Sequence, residues 1–432
     1  MPKPGRELPP PDGEAPMDQD VRRRRQALFL LFLLCGIAMS SWVTRTPAIR
    51  DRLDLSTAHM GLVLFGLSLG SMVGISCSGR LVSRFGTRSV IVWGTWLLIS
   101  GMAMICWGSA SASAATVTAG LCVFGIGMGV GDVAVNVDGT DVERVGGRTT
   151  LPALHGCFSL GTVLGAGAGM AATAAGVPVH WHLAAVVLLA TGLLLHAMRA
   201  LPEGIGRAAS EEAHAPGDGG HRPAVWKDGR LLLIGGIVLA MALAEGSAND
   251  WLPLLMVDGH GMDATAGSLV YAGFAAAMTL GRFGGTFFLD RFGRTAVVRA
   301  SALSGALGLL VVIVSDNAVL AGAAVLLWGL GASLGFPLAL SAAGESGPDQ
   351  TARVSLVAVI GYVAFLVGPP GLGLLGGEFG LRPAMLVVLA CVVCAAFLAP
   401  AVETGARAGG PAARGATDAD VPTTTADEAG SA

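Results

Sequence analysis

The chain has 432 residues, of which 53% are hydrophobic and only 13% charged, with a mean hydropathy of +0.66. That is more apolar side chain than a water-soluble fold of this length can hide, and it falls into uninterrupted runs of about 20 residues, so a polytopic membrane protein is expected and a soluble globular one is excluded. The net charge of -3 identifies no partner, because in a membrane protein the sidedness of charge matters more than its sum.

The first 26 residues are polar, carry Arg22 to Arg25 and lead into apolar sequence without a small-residue cleavage pattern, which predicts a cytoplasmic arm over 1–26. Six spans follow near 27–45, 59–79, 88–108, 114–136, 153–174 and 181–199, forming a first bundle over 27–200. The stretch 201–230 is rich in glycine, proline and charge and reads as a flexible cytoplasmic linker. Spans near 231–250, 265–288, 296–315, 318–341, 354–375 and 382–402 make a second bundle over 231–402. The tail 403–432 is too poor in apolar side chains to fold. The expected fold class is therefore all-α, with twelve transmembrane helices in two six-helix bundles and both termini on one side. Of the 27 Lys and Arg, all but Arg45, Arg50, Arg52, Arg382 and the membrane-depth Arg282 fall on that side, which makes it cytoplasmic by the positive-inside rule.

The two bundles repeat one another. Residues 61–91 and 268–298 are each an apolar run that ends in a tight basic turn and re-enters apolar sequence, and Arg84-Phe85-Gly86 superimposes on Arg291-Phe292-Gly293 without a gap. A repeat of roughly 200 residues is too long for a solenoid unit and suits half of a duplicated transporter. The 64 glycines fit close helix packing. Cys35, Cys77, Cys106, Cys122, Cys157, Cys391 and Cys394 all sit in apolar runs with no histidine at ligand spacing, so neither a disulfide nor a metal site is expected.

The pattern Gly-x-Leu-x-x-Arg-Phe-Gly-x-Arg from Gly79 to Arg88, with its twin Asp290-Arg291-Phe292-Gly293-Arg294, resembles the signature loop of the major facilitator superfamily. The resemblance implies that Arg84, Gly86, Arg88, Asp290, Arg291, Gly293 and Arg294 act in gating, holding the cytoplasmic ends of the two halves together when the cavity faces outward. The first copy carries Ser83 where the family usually has aspartate, which leaves the gating acid to Asp290. Further likeness is to the inner-membrane group of rhizopine-type and related sugar-derivative transporters. It rests on 41–47 (SWVTRTP), 131–137 (GDVAVNV), 154–161 (LHGCFSLG), 244–251 (AEGSANDW) and Gly361-Tyr362 through Gly368-Pro369-Pro370.

An ionisable side chain at the bilayer centre costs roughly 2.5 to 3.5 kcal/mol on insertion scales, so each one demands a role. Asp132 and Asn136 stand at i and i+4 on the fourth span with Thr140 continuing the stripe, a substrate or coupling face or, alternatively, a structural pair. Asp138 points elsewhere and is expected to meet an arginine near the cytoplasmic end. His155, Ser159 and Thr162 form a stripe on the fifth span; His155 either binds solute or titrates, or it is a neutral ring bonded to a carbonyl. On the seventh span Glu245 and Asn249 share a face, and Glu245 is a proton-carrier candidate. Asp250 and Trp251 read as a solvated acid and an anchoring indole at the interface, and Arg45 either pairs with Asp250 as an outer gate or is a plain interfacial arginine. Arg282 either neutralises a carboxylate from another helix or attracts an anionic solute. Trp42 and Tyr362 either stack on a sugar ring or pack the membrane core. The tenth span repeats the glycines of the fourth but replaces Asp132 and Asn136 by Phe336 and Leu340, which concentrates charge chemistry in the first, fourth, fifth and seventh spans.

These features point to a monomeric secondary transporter of a small polar solute (a sugar, inositol or sugar derivative) by alternating access, with protons as the coupling ion. The alternative is a drug or metabolite efflux antiporter. No nucleophile–base constellation, filter-like repeat or Walker A sequence is present, so the sequence supports neither an enzyme nor a channel nor an ATP-driven pump, and it calls for no cofactor and no nucleic acid.

Overall fold

The computed structural model describes residues 19–147, 150–207 and 225–403. The expected arm, linker and tail lie largely outside the described residues. The regular elements are helical: α1 (Gln19–Val43), α2 (Thr46–Leu53), α3 (Thr57–Phe85), α4 (Thr87–Ala110), α5 (Ala114–Gly146), α6 (Leu151–Ala174), α7 (Val179–Ala197) and α8 (Gly229–Leu254). A further helical stretch, Ala264–Val314, is broken at Gly293 into α9 (264–292) and α10 (294–314). It is followed by α11 (Ala318–Glu345), α12 (Gln350–Phe379) and α13 (Leu381–Leu398). All but α2 are long and apolar enough to cross a membrane, giving twelve candidate spans in two halves of six.

Short polar side chains start several of these helices. Ser56 accepts a hydrogen bond from the His59 amide at α3, Ser113 from Thr116 at α5, Asp228 from Leu231 at α8, Asp263 from Ala266 at α9 and Asn317 from Leu320 at α11. Each satisfies an amide that the first helical turn leaves without a partner. Several helices outrun the spans expected from hydropathy: α1 begins at Gln19, α5 continues to Gly146 and α11 to Glu345. Hydropathy reports the hydrocarbon layer, whereas a helix continues into water until a cap stops it, as Gly147 does for α5 with φ 64°. Helix α2 was not foreseen. It starts with Pro47 in its first turn and ends at Asp54 in the left-handed region with φ 52°.

Glycine sets the packing inside each half. A Cβ on Gly36 of α1 would stand 2.1 Å from the Phe158 carbonyl of α6, and one on Gly331 of α11 would stand 2.2 Å from the Gly305 amide of α10. The halves meet along two seams, α3 against α12 and α6 against α9. On the first, Gly61 and Gly373 face each other, and a Cβ on either would come within 3 Å of the other's Cα. This contact lies at the end of the molecule that carries α2; the Arg-Phe-Gly turns lie at the other, called the turn end below.

Candidate functional site

On α5, Met128, Asp132, Asn136 and Thr140 follow one another at i+4 and form one stripe. Met128 lines a cleft of about 200 Å³ between the halves, which aims the stripe at the space between them. Asp132 is exposed, and it borders a small cavity of about 30 Å³ walled by Cys35, Phe32 and Phe158, room for a water or two. Asn136 donates to the Asp132 carbonyl at 2.9 Å and Thr140 to the Asn136 carbonyl at 2.9 Å, so both side chains fold back on their own helix. No ion pair to Asp132 is found among the described residues. Asp138 behaves differently. It is fully buried, takes Arg24 Nε at 2.7 Å on one oxygen and the Thr87 hydroxyl at 2.6 Å on the other, and Arg24 also reaches Asp141 at 2.8 Å.

The seam between α6 and α9 carries the second charged group. Arg282 reaches Glu245 of α8 at 3.0 Å and donates to the Ser159 hydroxyl of α6 at 3.1 Å. Thr279, one turn before Arg282, lies 3.4 Å from the Ser159 carbonyl. One guanidinium thus joins two helices of the second half to one of the first. The side chains of Glu245 and Arg282 remain 18% and 27% exposed, enough for water and protons to reach the pair. His155 does not join this network: its ring is exposed and packs edge-on against Phe32 at 5.3 Å.

The cleft between the halves is lined by Asn249, Asp250, Tyr362 and Phe365 from the second half and by Met39, Ser68 and Ser71 from the first. Asn249 accepts from the Tyr271 hydroxyl at 3.0 Å, which fixes its amide. Two readings of these residues are corrected. Asp250 is 6% exposed and Trp251 fully buried, so neither is an interfacial, solvated group. Nor does Arg45 pair with Asp250; it donates to the Thr173 hydroxyl in the last turn of α6 at 2.8 Å and to the Val177 carbonyl in the connection that follows. Trp42 is buried in the core rather than facing the cleft described above, and the halves are in contact there: the Ser268 hydroxyl donates to the carbonyl of neighbouring Thr44 at 2.9 Å. Tyr362 does border the cleft. Cleft residues not singled out from sequence include Ser68, Ser71, Met39 and Phe365, since a small hydroxyl or an apolar side chain in an apolar run carries no signal until the opposing helix is known.

At the turn end, Gly86 has φ 80° and ψ 162° and Gly293 φ 77° and ψ 165°. The matching residues of the repeat thus take one conformation, in a region that side chains other than glycine seldom adopt. No ion pair described for the two turns crosses from one half to the other. Arg88 pairs with Glu203, and Arg294 takes Glu345 at 2.7 Å and Ser341 at 3.4 Å. Arg84 and Arg291 are exposed and lie over the rings of Phe85 and Phe292. Asp290 is exposed with no ion pair described. At the α2 end, by contrast, the halves are joined through Arg50 and Asp258, Ser268 and Thr44, and the Gly61–Gly373 contact. Burial by itself lowers the pKa of Arg50, but its bonds to Asp258 and Asp51 outweigh this and hold it above the usual range. The described conformation is therefore closed at the α2 end, and its two turns make no clasp.

The sequence matches the Major Facilitator Superfamily over residues 2–150 and 149–355. It is 32% identical over 381 residues to an uncharacterized MFS-type transporter of Yersinia pestis, covering 88% of this chain and 94% of that one. It is 27% identical over 375 residues to the membrane protein MosC of Rhizobium meliloti, covering 86% and 88%. The crystal structure of a D-xylose–proton symporter superimposes with a TM-score of 0.72 at 13% identity, over 88% of this chain and 97% of that one, a likeness of fold.

Proposed function

The chain belongs to the Major Facilitator Superfamily, and we propose that it moves a small hydroxylated solute, a sugar, inositol or sugar derivative, across the cell membrane in symport with protons. The observation that carries this reading is the cleft between the halves, where Asn249, Asp250, Ser68 and Ser71 supply hydrogen-bonding groups beside the rings of Tyr362 and Phe365. A polar solute with an apolar ring face needs that mixture. The fold shared with a D-xylose–proton symporter agrees with it.

The two halves, 27–200 and 231–402, rock as bodies around the cleft. With the turn end cytoplasmic, as the positive-inside count has it, the described form is open to the cytoplasm. Opening to the outside then separates Arg50 from Asp258 and Gly61 from Gly373, while the two turns close. Coupling runs through Glu245. Protonating its carboxyl removes the charge that holds Arg282, and with it the restraint that Arg282 transmits to Ser159 across the seam. Asp132, open to the same space, is the second proton site.

The test is uptake of labelled sugars, inositols and drugs into proteoliposomes under an imposed pH gradient. Gradient-driven uptake is expected for a hydroxylated solute, with a fall of about 10- to 100-fold in Glu245→Gln, the equivalent of one charge-assisted hydrogen bond. A smaller fall is expected in Asp132→Asn. Gradient-driven expulsion of apolar drugs, or both variants transporting like the wild type, overturns the reading.

A further inference from the structure

On the outer face of the first half, away from the solute cleft, an open groove of about 1060 Å³ runs between α1, α6 and α7 at the turn end. Its floor is apolar, built from Phe29, Leu33 and Leu160. Leu160, Leu164 and Leu195 nearby are about half exposed, the surface of a bundle that faces hydrocarbon. Its mouth is basic. Arg23, His196 and Arg199 stand there exposed. Arg24 also borders the groove, but its charge is already taken by Asp138 and Asp141. Among the described residues neither Arg23 nor Arg199 has an ion-pair partner, and Asp20 is the single acid on the rim.

The geometry points to a site for an anionic phospholipid, with its phosphate between Arg23 and Arg199 and an acyl chain laid along Phe29, Leu33 and Leu160. Two arginines against one acid favour a headgroup of net negative charge over a zwitterionic one, whose ammonium they repel. The apolar floor favours a lipid over a soluble phosphate, which gains nothing from it. The groove also begins at the level of the polar first turns of α1 and descends beside its apolar turns, matching a lipid's headgroup and chain in order. The lipid would brace α1 against α6 and α7 within one half, leaving the seams free. This site does not depend on which solute is carried.

Native mass spectrometry of the purified full-length chain tests it, with phosphatidylglycerol, phosphatidylcholine and glycerol 1-phosphate added in turn. The wild type is expected to retain phosphatidylglycerol over phosphatidylcholine by about tenfold or more, at roughly fivefold per arginine. The preference should vanish in the double variant Arg23→Gln/Arg199→Gln and persist in Arg80→Gln, an exposed arginine outside the groove. Leu160→Trp, which fills the groove, should lower retention of both lipids. These side chains are exposed, and a single symmetric gel-filtration peak identifies the folded fraction that is scored. Equal retention of the two lipids by the wild type, a preference that survives the double exchange, or glycerol 1-phosphate binding as well as the lipid would each overturn the proposal.

Discussion

Each half contains an arginine clamped on a carboxylate, and the two clamps differ in what else they touch. Arg24 and Asp138 are 8% and 0% exposed at the side chain, and among the described residues their partners, Asp141 and Thr87 included, lie in the first half. Arg282 and Glu245 both belong to the second half, yet Arg282 extends to Ser159 of the first. A clamp confined to one half moves with it as a rigid part. One that crosses the seam changes whenever the halves move. In the proposed cycle the same chemistry is therefore structural in one place and responsive to the movement of the halves in the other.

The largest effect expected is on the internal clamp. Asp138→Asn leaves Arg24 without its closest counter-charge in a buried position and should cost about 3 to 5 kcal/mol of stability, read as a lowered unfolding temperature in detergent. The fraction that stays folded should transport like the wild type, the reverse of the pattern expected for Glu245→Gln. Equal loss of transport per folded molecule in both variants would erase the distinction.

A pair of glycine exchanges sharpens it. Gly61→Ala inserts a Cβ 2.8 Å from the Pro369 carbonyl across the seam, whereas Gly101→Ala inserts one 2.3 Å from the Phe124 amide within the first half. Overpacking of this kind costs about 1 to 3 kcal/mol. At Gly61 that strain falls on the state closed at the α2 end, so cysteine labelling at that end should rise; at Gly101 labelling should stay unchanged while the unfolding temperature drops.

The smallest effect concerns a clamp of the second half outside the membrane. The Arg353 guanidinium bonded to Asp228 holds its carboxyl below the usual range, against a weaker opposing effect of burial. A carboxylate with a depressed folded-state pKa contributes stability that is fully present above its unfolded value, about 3.9, and is lost as pH falls through the folded one. The unfolding temperature of the wild type should therefore fall below about pH 4, and Asp228→Asn should flatten that limb while leaving transport at neutral pH intact.

Much of this was legible residue by residue. The apolar runs mark twelve spans because a run of about 20 residues crosses hydrocarbon as a helix whose backbone groups are satisfied internally, and the Arg-Phe-Gly repeat marks the duplication. The stripe Asp132, Asn136 and Thr140 follows from helical spacing alone, and Asp138 had to lie off that face. Other residues were misread for one reason: spacing places a side chain on its own helix and says nothing of the helix opposite. Helix-end positions leave Arg45 open between a pair with Asp250 and a plain interfacial place, and its acceptors are instead the Thr173 hydroxyl and the Val177 carbonyl beyond the end of α6. For Trp42 the sequence leaves solute stacking and core packing both open, and the buried ring takes the second.

The sequence by itself determined the membrane class, the two-fold repeat and which few polar side chains lie at membrane depth, since each depends on local composition and helical period. Tertiary structure decided which acids are clamped and which are open, which end is shut, and that Arg282 reaches across the seam to Ser159. Those outcomes depend on how close two helices approach, a distance that the small residues of both partners set together.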